Sequence, residues 1–259
     1  MTSVESTLRN RAAQKQGSLI GYFPAGYPSV EQSVEALVAM ANNGCNILEI
    51  GVPYSDPVMD GPVIQRATET ALSAGFKLKN LFEVIEKVRE QTDVPILVMS
   101  YWNPIIRYGL EQFANRLKES GAQGIITPDL IPDEAEDWIE ISERLSLERV
   151  FLAAPSSSGA RVERVVGSSK GFVYAVSTMG ITGERAKLDQ LARSVVSRVR
   201  SSGSIPTCVG VGVSTADQVR EVNTYADGAI VGTAFIKAYE DGGQEALIRK
   251  VTELAKGLG

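Results

Sequence analysis

Eight short, nearly continuous apolar runs alternate with amphipathic segments along 259 residues, and two of the resulting units carry extra length. These observations predict an α/β fold: a single-domain TIM (β/α)8 barrel spanning 1–259, with an extra N-terminal helix over 1–16. Strands of a parallel barrel are covered on both faces, so they read as unbroken Val/Ile/Leu runs and do not alternate. A doubly wound sheet is the alternative. It needs a glycine-rich turn after its first strand, and Pro24-Ala25-Gly26-Tyr27-Pro28 is not that turn.

In chain order, Val4, Leu8 and Ala12 form an amphipathic stripe suited to covering the barrel's bottom. The strands follow at Ser18–Phe23, Asn46–Ile50, Pro95–Met99, Gly124–Thr127, Arg149–Leu152, Gly171–Ala175, Pro206–Val209 and Gly228–Val231. Between them helical spacing places Val30, Val34, Leu37, Val38 and Ala41 on one face. The same spacing aligns Leu81, Val84, Ile85 and Val88, and later Leu188, Leu191, Val195 and Val199. Pro132-Asp133-Glu134 opens a helix with acids in its first turn, and Ser214 caps another. Most units run 22 to 29 residues, but the second runs 49 and the sixth 35. Extra length in a barrel goes mainly into loops at the active-site face, which makes 51–62 and 177–188 the active-site loops. No linker or low-complexity tract divides the chain.

The net charge of -5 and the pI near 5.1 come from scattered charges, without the clustered Lys/Arg that nucleic acid or an anionic membrane demands. No stretch approaches the ~20 apolar residues of a membrane span, and residues 1–16 lack a signal core, so a cytoplasmic setting is expected. Cys45 and Cys208 match no metal spacing and read as buried free thiols; no metal site is expected.

The chain has no histidine, so acid–base chemistry falls to carboxylates, Tyr, Lys or Cys. Glu49 lies in an apolar strand, where burial of its anion raises its proton affinity towards a range useful for proton transfer. Asp60 follows in a stiff loop with three prolines, nearer solvent, and is expected to stay ionised. Asp56, before Pro57, reads as a turn former. Strand seven runs into Val209-Gly210-Val211-Gly212-Val213-Ser214 and strand eight into Val231-Gly232-Thr233. Barrel loops at these positions often hold a phosphate on backbone N–H groups, with Thr233 adding a hydroxyl and Gly183 a donor from the sixth loop. Trp102 and Trp138 read as packing or interface aromatics.

Gly51-Val52-Pro53-Tyr54-Ser55-Asp56-Pro57 with Asp60-Gly61-Pro62, Gly180-Ile181-Thr182-Gly183, Gly210-Val211-Gly212 and Gly232-Thr233 closely resemble the tryptophan synthase α-subunit family, in order and spacing from Leu19 to about Lys237. The resemblance implies cleavage of indole-3-glycerol phosphate to indole and glyceraldehyde 3-phosphate. It makes Glu49 the general acid/base and Asp60 the second catalytic carboxylate. It places Tyr22, Tyr174, Thr182, Gly183, Gly210, Gly212, Gly232 and Thr233 at the substrate, with Thr182 in a closing loop. It also implies a β-subunit partner in an α2β2 heterotetramer, touched through the Asp56–Pro57 loop. Pyridoxal phosphate is then expected in that partner only and no cofactor in this chain. Met59 departs from the small residue usual before the aspartate. Two rivals are another sugar-phosphate barrel lyase or isomerase, and a non-catalytic barrel that only activates a partner. A Schiff-base aldolase needs a lysine within a strand, and no predicted strand interior has one.

Overall fold

The computed structural model describes residues 2–176, 185–210 and 212–259, the side chains of 185–188 excepted. Nine parallel strand segments form one nearly closed barrel: β1 Leu19–Pro24, β2 Ile47–Gly51, β3 Ile96–Met99, β4 Gly124–Ile126, β5 Glu148–Val150, β6 Leu152–Ala153, β7 Val173–Val176, β8 Thr207–Gly210 and β9 Gly228–Val231. Their order is β5-β4-β3-β2-β1-β9-β8-β7-β6. Each expected run lies within a residue or two of a segment, but the fifth, Arg149–Leu152, is divided at Phe151. Strand tilt staggers neighbours in a barrel. The first half of this run therefore pairs only with β4 and the second only with β7. Because β5 and β6 are contiguous in the chain, the two ends of the sheet order meet and the barrel closes.

Eleven α-helices lie among the described residues: α1 Val4–Ala13, α2 Val30–Asn42, α3 Pro62–Ser73, α4 Leu78–Arg89, α5 Trp102–Tyr108, α6 Leu110–Ser120, α7 Glu136–Leu145, α8 Gly159–Ser168, α9 Arg185–Ser202, α10 Ala216–Asn223 and α11 Thr233–Ala255. The predicted face of α4 is buried in full, through Leu81, Val84, Ile85 and Val88. The long second unit owes much of its length to the additional helix α3, not to loop alone. Pro132–Glu134 is a short 3-10 turn, and α7 starts after it with Glu136 and Asp137 in its first turn. The cap of α10 is Thr215 and not Ser214: the Gln218 N–H donates to Thr215 Oγ1 while Gln218 Oε1 accepts from the Ser214 and Thr215 N–H groups.

The first helix is shorter than expected, 4–13 against 1–16, and Ala12 is exposed. Val4 and Leu8 alone plug the barrel. Both are fully buried against inward-facing Ile20, Ile47, Leu97, Ile126, Val150, Phe172, Cys208 and Ile230. The free N–H groups of the helix's first turn find an acceptor from far along the chain: the Glu148 carboxylate takes the Val4 and Glu5 N–H groups, each at 2.9 Å. Above this apolar layer the inward positions become polar, because two residues further along each strand brings the next side chain to the same face. Ile20 is followed by Tyr22, Ile47 by Glu49 and Phe172 by Tyr174. This upper layer opens at the C-terminal ends of the strands. Both cysteines are free and buried, as expected, and Trp138 is buried in the shell between helices and strands.

Candidate active site

Tyr22, Glu49, Asp60, Tyr174, Gly210, Gly212, Gly232 and Thr233 line one cleft of about 510 Å³ together with Met59, Ile64, Met99, Val213, Ser214 and Lys237. Eight of the ten sequence-predicted site residues are thus brought together. Thr182 and Gly183 lie outside the described residues.

Glu49 is the inward-facing centre of β2, paired in register between Tyr22 of β1 and Leu97 of β3. Only 1% of it is exposed, and its Oε2 has no hydrogen-bond partner among the described residues. Burial, and then the neighbouring charge of Asp60, push its carboxyl up to about 8. A buried carboxyl oxygen without a partner is costly, and Glu49 lines the cleft.

Asp60 corrects the sequence reading. It is 8% exposed, not on a solvated loop, and burial pushes its carboxyl up to about 6 against an opposing hydrogen bond from Tyr101. The loop before it is tied internally. The Val58 N–H donates to the Asp56 carbonyl (2.9 Å) and the Asp60 N–H to the Pro57 carbonyl (3.0 Å), so Asp56 does start a turn. Gly61 then caps α3 with Pro62 in its first turn, which sets Asp60 beside a helix N-terminus.

Tyr101 was missed. It follows β3, at the strand end where barrels carry functional groups, and that position was the available signal. Its hydroxyl accepts from the Met59 N–H at 2.9 Å and donates to Asp60. Tyr54 packs on its ring at 5.1 Å and accepts from the Asn103 amide at 3.2 Å. Tyr22 and Tyr174 flank the two acids. Burial first, and then the nearby carboxylates, raise both phenols well above their ordinary value, so they stay protonated donors.

The glycines divide by what they do. A Cβ at Gly51 would collide with the Tyr22 hydroxyl, one at Gly210 with the Tyr174 hydroxyl, and one at Gly232 would press on the Tyr22 ring at 3.0 Å. These are inward positions of the top layer, left empty so that tyrosines from the layer below can rise into the mouth. Gly212 differs: its φ is +65°, and a Cβ there would enter open space. It is the glycine that the backbone conformation requires.

A (β/α)8 barrel with two buried acids and a glycine-bordered cleft at the strand C-termini defines a barrel enzyme acting on a small molecule. The family model for "Tryptophan synthase alpha chain" matches residues 8–258. The chain is 52% identical to the tryptophan synthase alpha chain of Leifsonia xyli over 257 residues, covering 99% of this chain and 98% of that one. It is 49% identical to that of Mycobacterium avium over 243 residues, 94% and 89% of the two chains. Among solved structures, tryptophan synthase of Mycobacterium tuberculosis superposes with a TM-score of 0.94 at 45% identity, covering 98% and 97%. The Pyrococcus furiosus complex gives 0.84 at 34%, covering 92% and 98%. The chain belongs to the tryptophan synthase α-chain family.

Proposed function

We propose that this chain cleaves indole-3-glycerol phosphate to indole and glyceraldehyde 3-phosphate, as the α subunit beside a tryptophan synthase β subunit. The observation that carries the reading is a pair of buried acids with separated proton affinities facing one cleft. At neutral pH the carboxyl near 8 holds its proton and the one near 6 has lost it. Glu49 thus begins as an acid and delivers its proton to indole C3. The positive charge that develops on the ring is met at the N–H by the Asp60 carboxylate. Glu49, now a carboxylate, takes the proton of the adjacent side-chain hydroxyl. The carbon–carbon bond breaks, its electron pair returns to the indole ring, and the hydroxyl carbon becomes the aldehyde. Glu49 ends protonated, as it began. Tyr22 and Tyr174 flank the ring, while backbone N–H groups at Gly212, Gly232 and Thr233, with Gly183, hold the phosphate.

Two large apolar side chains are exposed among the described residues: Val58 (81%) in the 51–62 loop and Ile106 (50%) on α5. Both adjoin segments at the mouth of the barrel, which supports docking of the β subunit through the Asp56–Pro57 loop. The Pyrococcus furiosus structure is that of an α2β2 complex, and the same assembly is proposed here. Pyridoxal phosphate belongs to the β partner in this reading, with no cofactor in this chain, and the setting is the cytoplasm. Among the described residues no helix is long and apolar enough to cross a membrane.

The test is indole release from indole-3-glycerol phosphate by the purified chain, alone and with β subunit. Release that disappears in Glu49→Gln supports the reading. A chain that activates the β subunit yet releases no indole is the non-catalytic barrel instead.

A further inference from the structure

Three charged side chains line the cleft among the described residues: Glu49, Asp60 and Lys237. The two acids come from β2 and the loop after it. Lys237 comes from α11, on the side where Gly232 caps that helix and Thr233 begins it. We infer that Lys237 supplies the positive charge that selects the phosphorylated form of the substrate, which rests on the phosphate placement proposed above.

Lys237 is four residues beyond Thr233, hence on the same helix face one turn up, and helical side chains lean back towards the N-terminus. Its ammonium is therefore carried towards the edge that Gly232 and Thr233 form. That position is electrostatically unfavourable by itself, since the N-terminal end of a helix is already positive. Among the described residues no acid around it forms an ion pair with it, including Asp241, which is one turn further along α11 and lines the adjoining cavity with it. Glu240 pairs with Arg66 (3.7 Å), Glu245 with Arg249 (3.7 Å) and Glu253 with Lys250 (2.7 Å). Among the described residues no ion pair includes Lys237. A cation held against the helix dipole, lining the same cleft as Glu49 but on the helix that follows β9, is placed for an anion that arrives with the ligand.

The cleft has a reason to need it. A phosphate dianion entering a site that holds an ionised Asp60 meets repulsion that backbone dipoles offset only in part. A side-chain cation on the helix after β9, with β1 between it and the acids of β2 and its loop, separates the two signs along the substrate's length. The indole end then faces the acids and the phosphate end faces Lys237. Because Lys237 is exposed, its attraction is screened by salt.

The experiment compares wild type, Lys237→Met, Lys237→Arg and Arg249→Met in complex with β subunit. Arg249 is a nearby cation that lines only the adjoining cavity. The readouts are kcat and KM for indole-3-glycerol phosphate, and affinity for glycerol 3-phosphate, glycerol and indole, at low and high ionic strength. Lys237→Met is expected to raise KM and weaken glycerol 3-phosphate by roughly tenfold, the order of one charge-assisted contact. Its kcat and its affinity for indole stay as in wild type, and most of the salt dependence of kcat/KM is lost. Lys237→Arg keeps most of the affinity, and Arg249→Met behaves as wild type. An unchanged KM in Lys237→Met, while wild type still prefers glycerol 3-phosphate to glycerol, overturns the role of Lys237 and leaves the phosphate reading intact. If wild type itself does not prefer glycerol 3-phosphate to glycerol, the phosphate reading falls and this inference falls with it.

Discussion

Glu49→Gln should abolish indole release and, above neutral pH, make the protein more stable. In the folded chain the Glu49 carboxyl is pushed from 4.5 up to about 8, by burial first and then by Asp60. Between those values the folded state holds a proton that the unfolded state has released. The native state is thus penalised progressively as pH rises, and the penalty is complete above the folded value. At about 1.4 kcal/mol per tenfold change in proton affinity, the shift amounts to roughly 4 to 5 kcal/mol as an upper bound. That is a large share of the ~5–15 kcal/mol that holds a domain folded. Glutamine carries no charge and escapes this penalty, but it buries an amide where Oε2 already lacks a partner, at about 1–3 kcal/mol at every pH. The variant should therefore be equal to or less stable than wild type at pH 5, and more stable at pH 9. Urea denaturation of both proteins across pH 5 to 9, followed by circular dichroism, measures the difference. Asp60 is common to both and largely cancels. A difference that does not change with pH would falsify the claim that Glu49 is buried with a raised proton affinity. The same variant should lose about 10²–10⁴-fold in kcat.

The site and the barrel's floor carry five further outcomes. The pH profile of kcat/KM should be bell-shaped, rising near 6 as Asp60 ionises and falling near 8 as Glu49 loses its proton. Asp60→Asn should remove the acid limb and move the alkaline limb to lower pH, because a neighbouring negative charge is gone; a flat profile counts against the division of roles. Gly210→Ala should cost roughly tenfold in activity by displacing the Tyr174 hydroxyl, and Tyr174→Phe in the same chain should restore the lost thermal stability. Gly212→Ala, strained by its φ of +65°, should lose about 1 kcal/mol with no such rescue. Glu148→Ala removes the acceptor of the Val4 and Glu5 N–H groups and should destabilise the fold by about 2–4 kcal/mol. Limited proteolysis should then cut within residues 4–13, and an uncut helix would show that Val4 and Leu8 hold it without the carboxylate.

Local chemistry was legible in the residues themselves. Continuous aliphatic runs read as strands covered on both faces, eight of them alternating with amphipathic segments pointed to the barrel, and the 3.6-residue spacing of Leu81, Val84, Ile85 and Val88 named the buried face of α4. An acid inside Asn46–Ile50, in a chain without histidine, named Glu49 and the direction of its proton affinity. What depended on barrel closure was not legible, because closure joins residues by pairing and not by spacing. The exchange of partners at Phe151 follows from strand stagger. The capping of α1 by Glu148 spans 144 residues, and the contact of Met59 with Tyr101 spans 42. Asp60 read as solvated because loops usually are; folding buries it, and burial raises its carboxyl against the opposing hydrogen bond from Tyr101. Gly210 and Gly232 read as phosphate glycines, yet the neighbouring tyrosines already require both. A sequence records that a side chain is missing, and only the packed barrel shows which atom takes its place.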